Sequence, residues 1–203
     1  ISMLITSIYN MADTFFVGQI GTSATAAVGI VFPLMSIIQA LGFFFGHGSG
    51  NSISRKLGEQ DTQEASFLAS AGFFLALLTG MCITCLGLLF INPLANLLGA
   101  TPTSIEYVKA YLRIILLGAP WMTASLVLNN QLRFQGSAFF AMIGIGTGGI
   151  LNMILDPVLI FVFDLGISGA AIATSVSQFV SFCLLLMGTR RGGNIRIKFS
   201  CFR

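Results

Sequence analysis

The chain has 203 residues, of which 55% are apolar and only 8% charged, with a mean hydropathy of +0.91 and a formal net charge of +3. A soluble domain carries roughly 25% charged residues, so this composition excludes a water-soluble globule and leaves an all-α, polytopic membrane protein. The positive balance does not point to nucleic acid, because eight of the ten Lys and Arg residues fall in three short segments, where they set topology.

Turn residues and charges divide residues 1–188 into six expected spans, approximately 1–18, 26–52, 64–91, 107–133, 138–163 and 167–188, followed by a basic tail, 189–203. Segment 1–18 lacks a basic leader and an Ala-x-Ala site and carries Asp13 in its apolar run, so it reads as a spanning helix and not a signal peptide. Its apolar run opens at residue 1, so the chain is expected to begin partway into that helix and to be a fragment. Gly18-Gln19-Ile20-Gly21-Thr22 ends the first span, and Leu57-Gly58-Glu59-Gln60-Asp61 ends the second.

The second span holds His47 beside Gly46 and Gly48; a lone histidine cannot build a metal site, and Ser49 at i+2 lies on another helix face, so no Ser–His dyad is expected. Cys82 and Cys85 of the third span read as small packing residues, and with Cys183 and Cys201 they form no secreted disulfide framework. Asn92-Pro93 is expected to close that span. Asn129, Asn130 and Arg133 end the fourth, at the membrane face where polar residues are ordinary. Glycines 144, 146, 148 and 149 precede Asn152 in the fifth span, and glycines inside spans are expected to serve close helix packing. Basic residues follow the second, fourth and sixth spans, which orients both termini to the cytoplasmic side of the cell membrane. The tail reads as a topology anchor or linker. No internal repeat stands out.

Only two acids, Asp13 and Asp156, lie within the apolar interiors. An intramembrane carboxylate costs a few kcal/mol on insertion scales and is a functional candidate by default. Asp13 lies five residues from Gly18, roughly 7 to 8 Å below the outer boundary, and Asp156 lies roughly 10 Å below Phe163. Thr174, counted from Ile167, is also roughly 10 Å down. Three spans therefore bring oxygen ligands to one layer. Asn152 and Asp156 share a face at i, i+4, and Pro157 frees the Met153 carbonyl and bends the helix beside the carboxylate. These are hard donors, suited to a proton or Na⁺ and not to zinc. Tyr9 and Gln178, one turn from Asp13 and Thr174, extend the same stripe as candidate cavity-lining residues together with Pro157.

At these residues the sequence resembles the multidrug and toxic compound extrusion (MATE) family. The resemblance rests on Tyr9-Asn10-x-x-Asp13-Thr14-x-Phe16-Val17-Gly18, on Phe32-Pro33 opening the second span, and on Ser54-Arg55-Lys56-Leu57-Gly58 with Asp61. It continues through Leu132-Arg133-x-x-Gly136, Asn152-x-x-x-Asp156-Pro157 and Gly166-x-x-Gly169-Ala170-Ala171-x-Ala173-Thr174. The resemblance implies a twelve-helix antiporter of two six-helix lobes, of which this chain is the first, exporting organic cations or drugs in exchange for H⁺ or Na⁺. It also implies that Asp13, Asn152, Asp156 and Thr174 hold the coupling ion, with no other cofactor. Protons are preferred, because Na⁺ would need a full oxygen shell. The rival readings are a lipid-linked sugar flippase, which would show several cations facing its cavity where the interior charges here read as negative, and a channel, for which no pore-like loop is visible. An intramembrane enzyme is disfavoured, since neither H-E-x-x-H nor a GxGD acid occurs.

Overall fold

Hydrocarbon offers no partner to a backbone N–H or C=O, so an apolar chain crossing it must satisfy those groups within helices. A computed structural model describes residues 2–191 together with Ile195, and within the first helix the side chains of Ile8 and of residues from Met11 onward. The helices are α1 Ser2–Ile20, α2 Thr22–Gly58, α3 Thr62–Leu89, α4 Ile91–Leu97, α5 Ile105–Phe134, α6 Ala138–Pro157 and α7 Gly166–Arg191, with a π-helical turn, Val158–Val162, continuing α6. Among the described residues five helical segments are long and apolar enough to cross a membrane: α2, α3, α5, α6 with its π turn, and α7.

Several boundaries differ from the sequence reading, each for a local reason. The Gly-rich stretch after residue 18 is not a loop, because α1 continues to Ile20 and a single residue, Gly21 at φ 148°, turns the chain into α2. That backbone angle is open to glycine and strained for other residues. At 37 residues α2 is about 55 Å long, well beyond a hydrocarbon core of about 30 Å. Its last turn, with Arg55 and Lys56, therefore extends past the apolar layer. Pro33 lies inside α2 instead of opening it. Pro93 falls in the first turn of α4, where a missing N–H costs nothing, so the segment expected to be a plain connection holds a short helix. The last helix runs on to Arg191; beyond it only Ile195 of the expected tail is described, and the rest of 192–203 lies outside the described residues.

The core is organised around α5, where 17 of 30 residues are buried and which packs against α2, α3, α4, α6 and α7. Its neighbours approach it through glycine. Gly42, Gly46 and Gly50, one turn apart on α2, meet Leu126, Asn130 and Phe134, and a methyl group at Gly80 of α3 would stand 2.6 Å from the Pro120 Cα. Gly144 and Gly148 of α6 likewise meet Leu185 and Ser181 of α7. Tyr111, Leu112, Ile115 and Leu116 fill one end of the core, and Leu128 and Leu132 the other. At the α2–α3 turn Asp61 caps α3 by accepting from the Glu64 N–H, and Lys56 bridges Glu59 at 3.0 Å and Glu64 at 2.8 Å. Ile195 is buried there against Ile53, Ala65 and Ala69. Cys82 and Cys85 stand exposed on α3 and pack into no core, contrary to the sequence reading.

Gly80→Val should therefore lower the thermal midpoint of the detergent-solubilised protein, since overpacking a seam of this kind costs about 1–3 kcal/mol. Gly29→Ala, whose added carbon meets nothing within 4 Å, serves as the comparison and should leave the midpoint unchanged or slightly raised. Equal midpoints for the two variants would show that α3 and α5 can separate at no cost.

Candidate cation-binding site

The helices α6 and α7 lie side by side, and their glycine seam lets polar side chains meet. Asn152 and Asp156 share one face of α6, and the Asn152 Nδ2 donates to Asp156 Oδ1 at 3.3 Å and to Thr174 Oγ1 of α7 at 3.4 Å. All three side chains are buried, Asp156 completely. The second oxygen of Asp156 and the amide oxygen of Asn152 have no hydrogen-bond partner, and neither has the buried Oδ1 of Asp13, presented from α1. Buried polar atoms are paired in the great majority of cases, so three unpaired acceptors in one region need a reason.

A pocket of about 20 Å³, the room one water molecule or one small cation occupies, lies among Asp13, Gln39, Met122, Asn152, Thr174 and Gln178. Its lining carries oxygen acceptors and no Lys or Arg. Asp156 stands behind it and reaches it through Asn152. Tyr111 of α5, fully buried, lies near Thr174 and within electrostatic reach of both Asp13 and Asp156. Its hydroxyl also points to the Met35 sulfur at 4.0 Å, a weak acceptor.

The kink expected at Pro157 takes the form of the π turn, in which the Phe163 N–H reaches Val158 O at 3.0 Å and the Leu165 N–H reaches Leu159 O at 3.2 Å. Such turns arise where an α-helix absorbs an irregularity. Pro157 sits at that junction and lines neither this pocket nor the larger cavity next to it. Gln178 lines both and accepts from Ser125 Oγ at 3.5 Å. Tyr9 lies in α1, but its side chain is outside the described residues.

Sequence reasoning missed Tyr111, Gln39 and Arg133. Gln39 is an amide inside the apolar run Ile37–Leu41, which was a usable signal. Arg133, read as a residue of the helix end, is exposed there and also lines the larger cavity. His47 hydrogen-bonds through Nδ1 to the Phe43 carbonyl at 3.0 Å, while Ser49 donates to Phe45 O and accepts from Gln131, so the two form no dyad. No group of three His, Cys, Asp or Glu that could hold a transition metal occurs among the described residues.

The MatE family model matches residues 1–158. The chain is 32% identical over 196 residues to the multidrug export protein MepA of Staphylococcus saprophyticus, covering 96% of this chain and 44% of that protein. It is 33% identical over 179 residues to the MepA of Staphylococcus aureus strain MRSA252, covering 88% and 40%. Among solved structures it matches the outward-facing conformation of a multidrug resistance MATE family transporter with a TM-score of 0.93 at 32% identity, over 100% of this chain and 45% of that one. A transporter of the MOP superfamily from Pyrococcus furiosus matches with a TM-score of 0.92 at 32% identity, again over 100% and 45%. The chain thus spans less than half the length of these relatives. With the family model covering most of its residues and the helices superposing throughout, the chain belongs to the multidrug and toxic compound extrusion (MATE) family.

Proposed function

We propose that this chain is the first lobe of a secondary antiporter that exports organic cations or drugs across the cell membrane in exchange for H⁺ or Na⁺. In this reading Asp13, Asn152, Asp156 and Thr174 hold the coupling cation, a second six-helix lobe completes the transporter, and both ends of the segment face the cytoplasm. One observation carries it: unpartnered oxygens of Asp13 and Asn152, with Asp156 behind them, converge on a cation-sized pocket that no basic side chain lines. Protein groups leave those acceptors free, and a proton or a small hard cation is the ligand that satisfies them. The names of the curated relatives, multidrug export proteins, support the export role.

The coupling ion binds by differential affinity for the two faces of the transport cycle, since a ligand shifts a conformational equilibrium only by that difference. Thr174 and Asn152 supply neutral oxygens. Protons are the preferred coupling ion, because a proton needs a single acceptor and Na⁺ a shell of several.

In the complete transporter, Asp13→Asn and Asp156→Asn should each reduce dye export against a gradient to background while leaving membrane insertion intact, because each removes a charge and keeps the shape. Wild-type export by either variant would reduce that acid to a structural role and overturn the site. The coupling ion is read from proteoliposomes given a pH gradient alone or a Na⁺ gradient alone, with export under the pH gradient as the expected result. Export driven by Na⁺ at symmetric pH, and absent under the pH gradient, would reverse the preference for protons.

A further inference from the structure

Next to the small pocket a second cavity, about 90 Å³, lies between α2, α5, α6 and α7, and Gln39, Met122, Asn152, Thr174 and Gln178 line both. It follows α6 from Ile145 to Asn152 and α7 from Thr174 to Ser181, about 10 Å along each axis. Its inner end lies at Arg133, the one charged residue in its lining, which is exposed at the end of α5. The cavity therefore leads from beside the candidate ion site toward the inner face. At about 15 to 30 Å³ for each water molecule it has room for about three to six, in a narrow file.

The walls suit water. Serine hydroxyls inside these helices commonly fold back on their own helix, as Ser36 does to Phe32 O at 3.0 Å, Ser49 to Phe45 O at 2.6 Å and Ser125 to Met122 O at 2.9 Å. Ser177 does not. It is 2% exposed, lines the cavity midway along the α7 wall, and its hydroxyl has no partner. Asn152, 3% exposed, lines the same space with an unpartnered amide oxygen. Buried polar groups are normally paired, and a polar cavity of this size takes up water where an apolar one stays dry. Water also fits both groups, since a hydroxyl donates and accepts while an amide oxygen accepts.

We propose that this cavity holds a file of water that releases the coupling proton toward the inner face, with Ser177 as its positioning residue. The inference rests on the antiporter reading above and on its preference for protons, and it adds the route by which the site empties. A protonated Asp13 carboxyl gives its proton to a water in the small pocket, leaving a carboxylate and a hydronium ion. The excess proton passes Gln39 and Gln178, which line both spaces, and moves from oxygen to oxygen along the file. Each water takes up one proton and gives up another. Ser177 accepts a hydrogen bond from one water and donates to the next, which keeps the file continuous at its middle. The file ends at the exposed Arg133, where the proton leaves for the aqueous phase.

The test uses the intact transporter in proteoliposomes and two variants of nearly equal shape, Ser177→Thr, which keeps the hydroxyl, and Ser177→Val, which lacks it. Export of a cationic dye under a pH gradient should stay near wild type in Ser177→Thr and fall about tenfold in Ser177→Val, the loss of one hydrogen bond to a charged group on the proton's path. Dye affinity should be equal in the two, and the ratio of rates in H₂O and D₂O should rise in Ser177→Val, a change that lost packing would not produce. Hydration is read separately by hydroxyl-radical footprinting. Met122, 3% exposed and lining both spaces, should be oxidised by radicals formed from the internal water, and less so in Ser177→Val. Equal export by the two variants, an isotope ratio unchanged in Ser177→Val, or a wild-type Met122 that escapes oxidation overturns the inference, while pH-driven export keeps the antiporter reading intact. Wild-type export under a Na⁺ gradient alone, and none under a pH gradient, removes the proton and this inference with it; export under neither gradient removes the antiporter reading itself.

Discussion

The close approach of α2, α3 and α7 to one buried helix, α5, fixes every other position in the lobe. Lipid tails are as apolar as leucine, so no hydrophobic drive pushes membrane helices together, and contact itself must hold them. Small residues at the seams let backbones come within reach of one another's side chains. Donors then cross the seams: Thr123 Oγ1 of α5 to Ala76 O of α3, Gln131 Nε2 of α5 to Ala69 O of α3, Thr84 Oγ1 of α3 to Leu116 O of α5, and Trp121 Nε1 of α5 to Ser175 O of α7. Each gives a polar group a partner that the bilayer withholds.

Against that well-bonded interior the candidate site is conspicuous by its chemistry. Of the six buried side-chain atoms without a partner among the described residues, four lie on Asp13, Asn152, Asp156 and Ser177, all beside the two cavities or directly behind them. The remaining two, on Gln131 and Gln135, lie near the end of α5. A fold that satisfies donors across its seams so thoroughly, yet leaves acceptors bare around one space, concentrates its unmet demand for positive charge there.

Much of this was legible because depth in a membrane can be counted. Asp13, Asp156 and Thr174 come from three helices, and counting 1.5 Å per residue from the span ends sets them in one layer. The same count would have found Tyr111, six residues into α5 and so about 9 Å down, but its neighbours Lys109 and Arg113 made the segment look like a membrane border. Arg133 was hidden for the related reason that a basic residue at a helix end already has an explanation in topology. The short α4 has too few turns to display a period, and the α1–α2 connection looked like a loop because its several turn-forming residues outnumber the single one that turns.

That single-residue connection has a mechanical meaning. One residue spans at most about 3.6 Å, so α1 cannot slide along α2; the freedom left to it is rotation about Gly21. Asp13 lies eight residues from that pivot, a lever arm of about 12 Å. A tilt of about 10° would carry its carboxylate about 2 Å, half the reach of an ion pair, while leaving Ile20 almost where it was. In engineering language the first helix is a crank on a glycine bearing, and its acid sits far enough along the arm to turn a small angle into a made or broken ligand contact.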